Sequence, residues 1–263
     1  MKIIPKKSLG QNFLIDKGVI EKICNSGNLT ENNNVLEIGP GTGNLTEFIL
    51  QKKPKKFHVI EKDERLINNL KEKFDKKLTI INEDILRYDL KPLSDKDLVI
   101  FGNLPYNISS QILANFINYS YSEFSYKKLV LMFQKEVADR ILAEENSKNY
   151  GRLSIFSSWK LNIKKIMDIN PSSFFPKPKV MSSLLIFEPK INYIKFKNSK
   201  NLEHITNVFF NQRRKMIKKP LNILFKDSKK VVDELDLDIN LRPQNLKKDT
   251  FYKICLIYEK LIN

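Results

Sequence analysis

The chain of 263 residues carries a formal net charge of +16, with 41% hydrophobic and 29% charged residues. This balance excludes a disordered or fibrous chain, and the length suits one large domain with a smaller appendage. The positive charge favours a polyanionic partner such as nucleic acid, although abundant lysine also spreads charge over an otherwise ordinary surface.

The first two thirds of the chain alternate short apolar runs with segments of helical periodicity, which is typical of βα units that build a parallel sheet. The predicted strands cover residues 35–39, 57–61, 78–82, 98–102, 129–133 and 183–187. The predicted helices between them cover residues 45–51, 64–73, 110–117 and 135–143. These elements predict an α/β fold with a doubly wound sheet.

The pattern changes after Pro189, where a lysine-rich stretch is followed by helical segments only. These helices are predicted over residues 202–211, 218–225, 229–235 and 251–261. Just before, Pro171, Pro176 and Pro178 predict a rigid loop, because each proline fixes its own backbone and restricts the preceding residue. We therefore expect two domains, residues 1–190 and 191–263.

A glycine-rich turn follows the first of these strands and leads directly into a helix. Glu37 is followed by Gly39, Gly41 and Gly43, which place small residues where the backbone has to approach a ligand closely. Such a turn also fits a dinucleotide site or a plain tight turn. The turn predicts a nucleoside site at this strand end.

Two acids at the ends of the next strands make the prediction more specific. Glu61 stands about 20 residues beyond the glycine turn, where a carboxylate can accept hydrogen bonds from ribose hydroxyls. Asp84 follows the third strand and can accept a hydrogen bond from an adenine amine. Either acid alone would be an ordinary solvated strand-end carboxylate. Together with the glycine turn they predict an adenosine pocket.

The fourth strand ends in Asn103, Leu104, Pro105 and Tyr106, which suit the binding of a planar amine. The Asn103 side-chain oxygen and the Leu104 carbonyl can accept hydrogen bonds from an exocyclic amine and stabilise its developing charge. Pro105 directs that carbonyl, and Tyr106 offers a ring on which an unstacked base can lie. The alternative is a proline turn closed by a core tyrosine.

Phenylalanine residues in the proline-rich loop are candidates for the opposite wall of the base site. Phe174 is the residue we assign to it, and Phe175 is the alternative. Either ring could equally be a core phenylalanine beside prolines.

The motifs KSLGQNFL (residues 7–14), EIGPGTG, VIEKD, NLPY and FFPKPKV occur in this order. Together they resemble the ribosomal RNA adenine N6-dimethyltransferase family along nearly the whole chain. The resemblance implies a Rossmann-like class I S-adenosylmethionine methyltransferase sheet with a small C-terminal helical domain. It also implies that the following residues contact S-adenosylmethionine: Gln11, Asn12, Leu14, Gly39, Gly41, Glu61, Asp84, Ile85 through its amide, and Asn103.

Two C-terminal segments, FNQRRK (residues 210–215) and LRPQNL (residues 241–246), resemble the small-subunit branch of that family. The branch implies dimethylation of two adjacent adenosines near the 3′ end of small-subunit rRNA, on a precursor of the small ribosomal subunit. Five neighbouring cations suit phosphate contacts, the alternative being a solvated helix face. They are Arg213, Arg214, Lys215, Lys218 and Lys219.

Other functions stay open on these residues. They are a large-subunit rRNA methyltransferase of the macrolide-resistance type, a methyltransferase for a DNA base or a protein glutamine, and an RNA-binding assembly factor without turnover. The lysine-rich residues 52–56 have no assigned role.

Cysteines and histidines are few and show no ligand spacing, so we expect neither a disulfide framework nor a metal. No apolar run approaches the ~20 residues of a membrane span, and the N-terminus lacks the pattern of a leader. We expect a cytoplasmic monomer that does not bind membranes.

Overall fold

The computed structural model describes residues 4–119 and 122–261, which form an α/β structure with one large mixed sheet and a two-stranded ribbon. The strands are β1 (Phe13–Leu14), β2 (Asn34–Ile38), β3 (Lys56–Glu61), β4 (Thr79–Asn82), β5 (Val99–Asn103), β6 (Lys128–Gln134), β7 (Leu161–Ile169), β8 (Phe174–Phe175) and β9 (Ser182–Pro189). The helices are α1 (Lys17–Ser26), α2 (Asn44–Gln51), α3 (Glu64–Phe74), α4 (Ser109–Asn118), α5 (Lys135–Leu142), α6 (Arg152–Lys160), α7 (Ser199–Phe210), α8 (Lys218–Leu224), α9 (Ser228–Leu235) and α10 (Lys248–Leu261). The predicted α/β fold is confirmed, and each predicted strand and helix overlaps an observed one.

The order of strands in the sheet determines where a ligand can bind. The seven strands run β4-β3-β2-β5-β6-β9-β7, and β2 is parallel to both β3 and β5. The chain therefore moves outward from β2 in one direction and returns to β5 on the other side. Open sheets of this kind bind ligands beyond the carboxyl ends of the strands at this switch point. β9 pairs antiparallel with β6, so the sheet is mixed.

The central strands are apolar because both faces of a parallel sheet are covered. Val35 of β2 and Phe101 of β5 are fully buried, as is Leu131 of β6. The sequence patterns did not predict α1, α6 or β7. In β7 only the terminal Leu161 and Ile169 are buried, and exposed side chains alternate with half-buried ones between them, which obscures the apolar pattern.

The chain forms two compact units. The first runs up to Ala138 and resumes over Asn162–Pro189, and the second comprises Asp139–Leu161 together with the described residues from Lys190 onward. The predicted division at residue 190 thus placed Asp139–Leu161 in the wrong unit. The helices of the described ranges are too short or too polar to cross a membrane.

Aromatic side chains explain why Asp139–Leu161 belongs to the second unit. The Tyr150 hydroxyl donates to the Leu246 carbonyl at 2.9 Å, and the Tyr252 hydroxyl donates to the Ile155 carbonyl at 2.8 Å. The Trp159 indole donates to a carbonyl of residue 194 at 2.7 Å. These bonds join α6 and the loop before it to the C-terminal helices, a long-range pairing that no local pattern reveals.

Candidate active site and RNA-binding groove

A cavity of about 250 Å³ lies at the carboxyl ends of β2, β3, β4 and β5 in the first unit. The following predicted residues line it: Gln11, Asn12, Leu14, Gly39, Gly41, Glu61, Asp84, Ile85, Asn103, Leu104, Pro105 and Tyr106. Residues that are up to 95 positions apart in sequence therefore meet in one place, as the parallel topology requires.

The glycine turn has the backbone that glycine favours. Gly39, Gly41 and Gly43 have φ angles of +66°, +60° and +80°. A Cβ atom on Gly43 would stand 2.5 Å from the Phe74 ring, and one on Gly41 would stand 2.9 Å from the Phe13 ring. A Cβ atom on Gly39 would meet nothing within 4 Å, so this residue faces open space in the cavity.

These surroundings predict different effects for two matched substitutions. Gly43→Ala should lower the free energy of unfolding by about 1–3 kcal/mol, because the added methyl group overlaps the Phe74 ring. Gly39→Ala should cost only the backbone term of about 1 kcal/mol but weaken binding of the predicted cofactor, because its methyl group enters the cavity. Denaturant unfolding and titration with S-adenosylmethionine measure the two effects. Equal losses of stability in both variants would contradict the prediction.

Glu61 is held by three backbone amides. Its Oε1 accepts from the amides of Lys62 and Asp63 at 2.9 Å each, and its Oε2 accepts from the Gly41 amide at 3.3 Å. Burial raises the pKa of Glu61, while these amides act in the opposite direction. The carboxylate thus joins the end of β3 to the glycine turn and lines the cavity in a defined orientation.

Asp84 and Ile85 lie just beyond β4. Asp84 accepts a hydrogen bond from the Leu86 amide at 3.0 Å and pairs with Lys62 at 2.8 Å, and the hydrogen bond from Lys62 lowers the pKa of Asp84. The Ile85 amide has no hydrogen-bond partner among residues 4–119 and 122–261. This pair therefore offers one anchored acceptor and one free donor, which suit the amine and a ring nitrogen of adenine.

The N-terminal segment is tied to the cavity through Asp63, a residue that the sequence analysis did not single out. Asp63 accepts from the Gln11 side chain at 2.9 Å and pairs with Arg65 at 2.7 Å, and the hydrogen bond from Arg65 holds its pKa well below the usual range. Gln11 also accepts from the Lys6 amide at 2.7 Å. The Gln11 amide thus connects the Lys6 backbone to the Asp63 carboxylate. Its predicted direct contact with the cofactor stays a prediction.

Asn103 connects this segment to the predicted base site. Its Nδ2 donates to the Asn12 carbonyl at 2.8 Å. Because a carbonyl can only accept, this bond determines the orientation of the amide and leaves Oδ1 as the free acceptor. Among the residues that the structure describes, the Leu104 carbonyl likewise has no partner. Two free acceptors therefore stand side by side at the end of β5.

Tyr106 completes the turn after β5 and is half-buried. Its hydroxyl lies 2.7 Å from the Ser182 hydroxyl, and its carbonyl accepts from the Ser109 hydroxyl at 3.1 Å. Burial raises the pKa of Tyr106, so the phenol stays neutral at physiological pH. The hydroxyl end of the ring and the backbone carbonyl are thus each held by a serine, and the residue lines the cavity.

Phe174 does not present its ring to a ligand in this structure. It is 3% exposed and belongs to the core cluster that includes Leu14 and Leu184, because β8 pairs with β1. Phe175 is 52% exposed. A stacking role for Phe174 would require its ring to leave the core, whereas Phe175 would need no such movement.

Four of the five predicted RNA-binding cations line a groove of about 680 Å³ in the second unit. They are Arg214, Lys215, Lys218 and Lys219. Arg242, from the LRPQNL segment, lines the same groove and was not among the predicted residues. Arg242 could have been found from its place in a motif that resembles the same branch.

Arg213, the fifth predicted cation, does not line this groove, and its predicted contact with RNA stays a prediction. Its guanidinium donates to the Gln244 side chain at 3.1 Å and to the carbonyls of Ser147 and Lys148. Through these bonds the Arg213 side chain holds two loops of the second unit together. Within the described residues, no group of three or more acidic, histidine or cysteine side chains could hold a metal ion.

The sheet, its switch point and its glycine turn form a Rossmann-like fold, and the fold class is that of the Rossmann-like methyltransferases. A solved dimethyladenosine transferase from Plasmodium falciparum has a TM-score of 0.81 and 29% identity, covering 94% of this chain and 98% of that one. The 23S rRNA methyltransferase ErmE shares the fold at a TM-score of 0.69 and 19% identity, covering 95% of this chain and 100% of that one.

The chain belongs to the ribosomal RNA adenine dimethylase family, whose model matches residues 5–260. A ribosomal RNA small subunit methyltransferase A from Pelagibacter ubique is 59% identical over 97% of both chains. A protein of the same name from Prochlorococcus marinus is 40% identical over 95% of this chain and 94% of its own. The resemblance noted in the sequence is therefore confirmed.

Proposed function

We propose that this protein transfers methyl groups from S-adenosylmethionine to N6 of two adjacent adenosines near the 3′ end of small-subunit rRNA and dimethylates each. The observation that carries the proposal is the pair of free acceptors, Asn103 Oδ1 and the Leu104 carbonyl, in the cavity that Glu61 and Asp84 also line. The names of the two relatives described above support the choice of rRNA branch.

The residues of the cavity fit S-adenosylmethionine. Gly39 leaves space where a side chain would intrude, and Glu61 presents an oriented carboxylate suited to ribose hydroxyls. Asp84 and the Ile85 amide offer the acceptor and donor that adenine needs. When bound, this cofactor supplies an electrophilic methyl group.

The chain's own residues can activate the target amine without a strong base. The nitrogen lone pair of an exocyclic amine is delocalised into the ring, so it has to be localised before it can attack. Hydrogen bonds from the amine to Asn103 Oδ1 and the Leu104 carbonyl favour a tetrahedral nitrogen and stabilise its growing positive charge. Tyr106 provides the face against which the unstacked base lies.

The groove of the second unit supplies the contacts to the RNA backbone. Arg214, Lys215, Lys218, Lys219 and Arg242 surround it, and their side chains can neutralise phosphates. We expect a cytoplasmic monomer that acts on a precursor of the small ribosomal subunit.

The adjacent arginines give a matched pair of variants for this interface. Arg213→Ala should lower the free energy of unfolding by about 2 kcal/mol, because two carbonyls and Gln244 lose their donor. Arg214→Ala should leave stability within about 0.5 kcal/mol but weaken RNA binding and reduce the slope of log affinity against log salt by about one. Binding isotherms at several salt concentrations distinguish them. The reverse assignment of effects would contradict the proposed groove.

Mapping of methylated adenosines tests the function itself. Purified protein and S-adenosylmethionine are incubated with unmethylated small subunits, large subunits and DNA, and the products are digested and analysed by mass spectrometry. We expect dimethyladenosine at two neighbouring positions of small-subunit rRNA. Product in large-subunit rRNA would support the macrolide-resistance type instead, and product in DNA would support a DNA-base methyltransferase. Binding without any product would support an assembly factor.

A further inference from the structure

We propose that Ser182 is a positioning residue that holds the Tyr106 ring for the second of the two methyl transfers to one adenine amine. This inference rests on the proposed function, because it concerns the difference between its two rounds. It assigns a role to a serine in β9, a strand that contributes no residue to the lining of the cavity and reaches it through Tyr106.

The sheet determines where the Ser182 hydroxyl lies. Ser182 is fully buried and is the first residue of β9, where it pairs with Gln134 of β6. The preceding Met181 carbonyl accepts from the Lys135 amide at 2.9 Å, which extends the pairing by one bond. A hydroxyl in such a position moves little, so its 2.7 Å contact with the Tyr106 hydroxyl is an anchor for the ring.

The Tyr106 ring needs this anchor because its neighbours in the turn restrain the backbone of Tyr106 and not its side chain. Pro105 restricts the chain on one side, and the Ser109 hydroxyl binds the Tyr106 carbonyl on the other. Neither contact limits rotation of the side chain. The bond to Ser182 ties down the far end of the ring and so orients the face available to a base.

A count of hydrogen atoms shows why the second round depends more on this face. In each round the amine nitrogen forms a bond to the methyl carbon, the electron pair of the broken sulfur–carbon bond stays on sulfur, and one amine proton passes to water. The unmethylated amine has two N–H groups for the two acceptors, Asn103 Oδ1 and the Leu104 carbonyl. After the first round only one N–H remains. One acceptor then has no donor, and stacking on Tyr106 carries more of the positioning.

The ratio of monomethyl to dimethyl product tests this inference. Ser182→Ala should raise the ratio about fivefold over wild type, when both are compared at equal total methyl incorporation by mass spectrometry of digested rRNA. A lower fraction of folded protein would slow both rounds and leave the ratio at equal incorporation unchanged. Thermal unfolding of each variant is measured alongside.

Two further variants complete the experiment. Ser183→Ala is the matched control, since Ser183 is equally buried but bonds to Asp168 at 2.6 Å, and it should keep the wild-type ratio. Tyr106→Phe removes only the hydroxyl, so it should reproduce the effect of Ser182→Ala, and the double variant should be no worse than either one. Tyr106→Phe also carries the test if Ser182→Ala does not fold.

The inference is overturned if Ser182→Ala and Tyr106→Phe keep the wild-type ratio, or if their effects add in the double variant. A wild-type protein that yields neither product would refute the proposed function itself, and that outcome is distinct because it needs no variant.

Discussion

Asn103→Ala is expected to lower the turnover of methyl transfer by about 10²–10³, the usual loss when one polarising hydrogen-bond partner leaves a reacting centre. The target amine would keep only the Leu104 carbonyl as acceptor. The variant also loses the bond to the Asn12 carbonyl, so cofactor affinity should fall by a smaller factor of about five. Single-turnover kinetics with saturating cofactor separate the two effects.

A nearby asparagine gives the control for this experiment. Asn107 is exposed in the same turn, and Asn107→Ala should retain turnover within about threefold. An Asn103→Ala protein that methylates at the wild-type rate would show that the amide oxygen does not act on the target amine.

Glu61→Ala should weaken binding of S-adenosylmethionine by about 10²–10³, because two charge-assisted hydrogen bonds to the ribose are lost. Three backbone amides at Gly41, Lys62 and Asp63 would also lose their acceptor, which loosens the glycine turn. Isothermal titration of the folded variant measures the affinity directly.

Glu61→Gln refines this prediction, because it keeps the size of the side chain and one acceptor oxygen. Its affinity should lie between those of wild type and Glu61→Ala. Glu64→Ala, at the exposed start of α3, should bind normally. Unchanged affinity in Glu61→Ala would mean that the cofactor lies elsewhere.

Much of the candidate site could be predicted because the residues that carry its chemistry lie at the ends of strands. Gly39, Glu61, Asp84 and Asn103 each follow a short apolar run, and parallel strands bring their carboxyl ends to one edge. Local patterns are sufficient for such residues. The family resemblance added the N-terminal segment, which periodicity could not have placed.

The rest of the candidate site could not be predicted, because it depends on contacts between distant parts of the chain. Asp63 became visible as an anchor only when the N-terminal segment folded back on it, 52 residues away in sequence. Arg213 and Arg214 are neighbours with the same charge, and only their partners show that the first holds loops together and the second faces the groove. Phe174 is buried because of its pairing with Leu14.

Glu37 shows the same limit of sequence-based prediction at a single residue. It reads as the acid of the glycine motif, but it is 2% exposed, accepts from the Thr46 hydroxyl at 2.7 Å, and burial raises its pKa to about 8. A motif gives the identity of such a residue, while its protonation depends on how deeply the fold encloses it.

The pairing of β1 with β8 has a consequence for the order in which this protein matures on the ribosome. Leu14 pairs with Phe174, and the Ile15 amide donates to the Ser173 carbonyl at 2.9 Å. The beginning of the chain emerges first, yet its partner is synthesised some 160 residues later. Closing such a distant contact is slow. In a nascent chain β1 therefore cannot pair with β8 until most of the protein has been translated. The cofactor cavity cannot be complete before then.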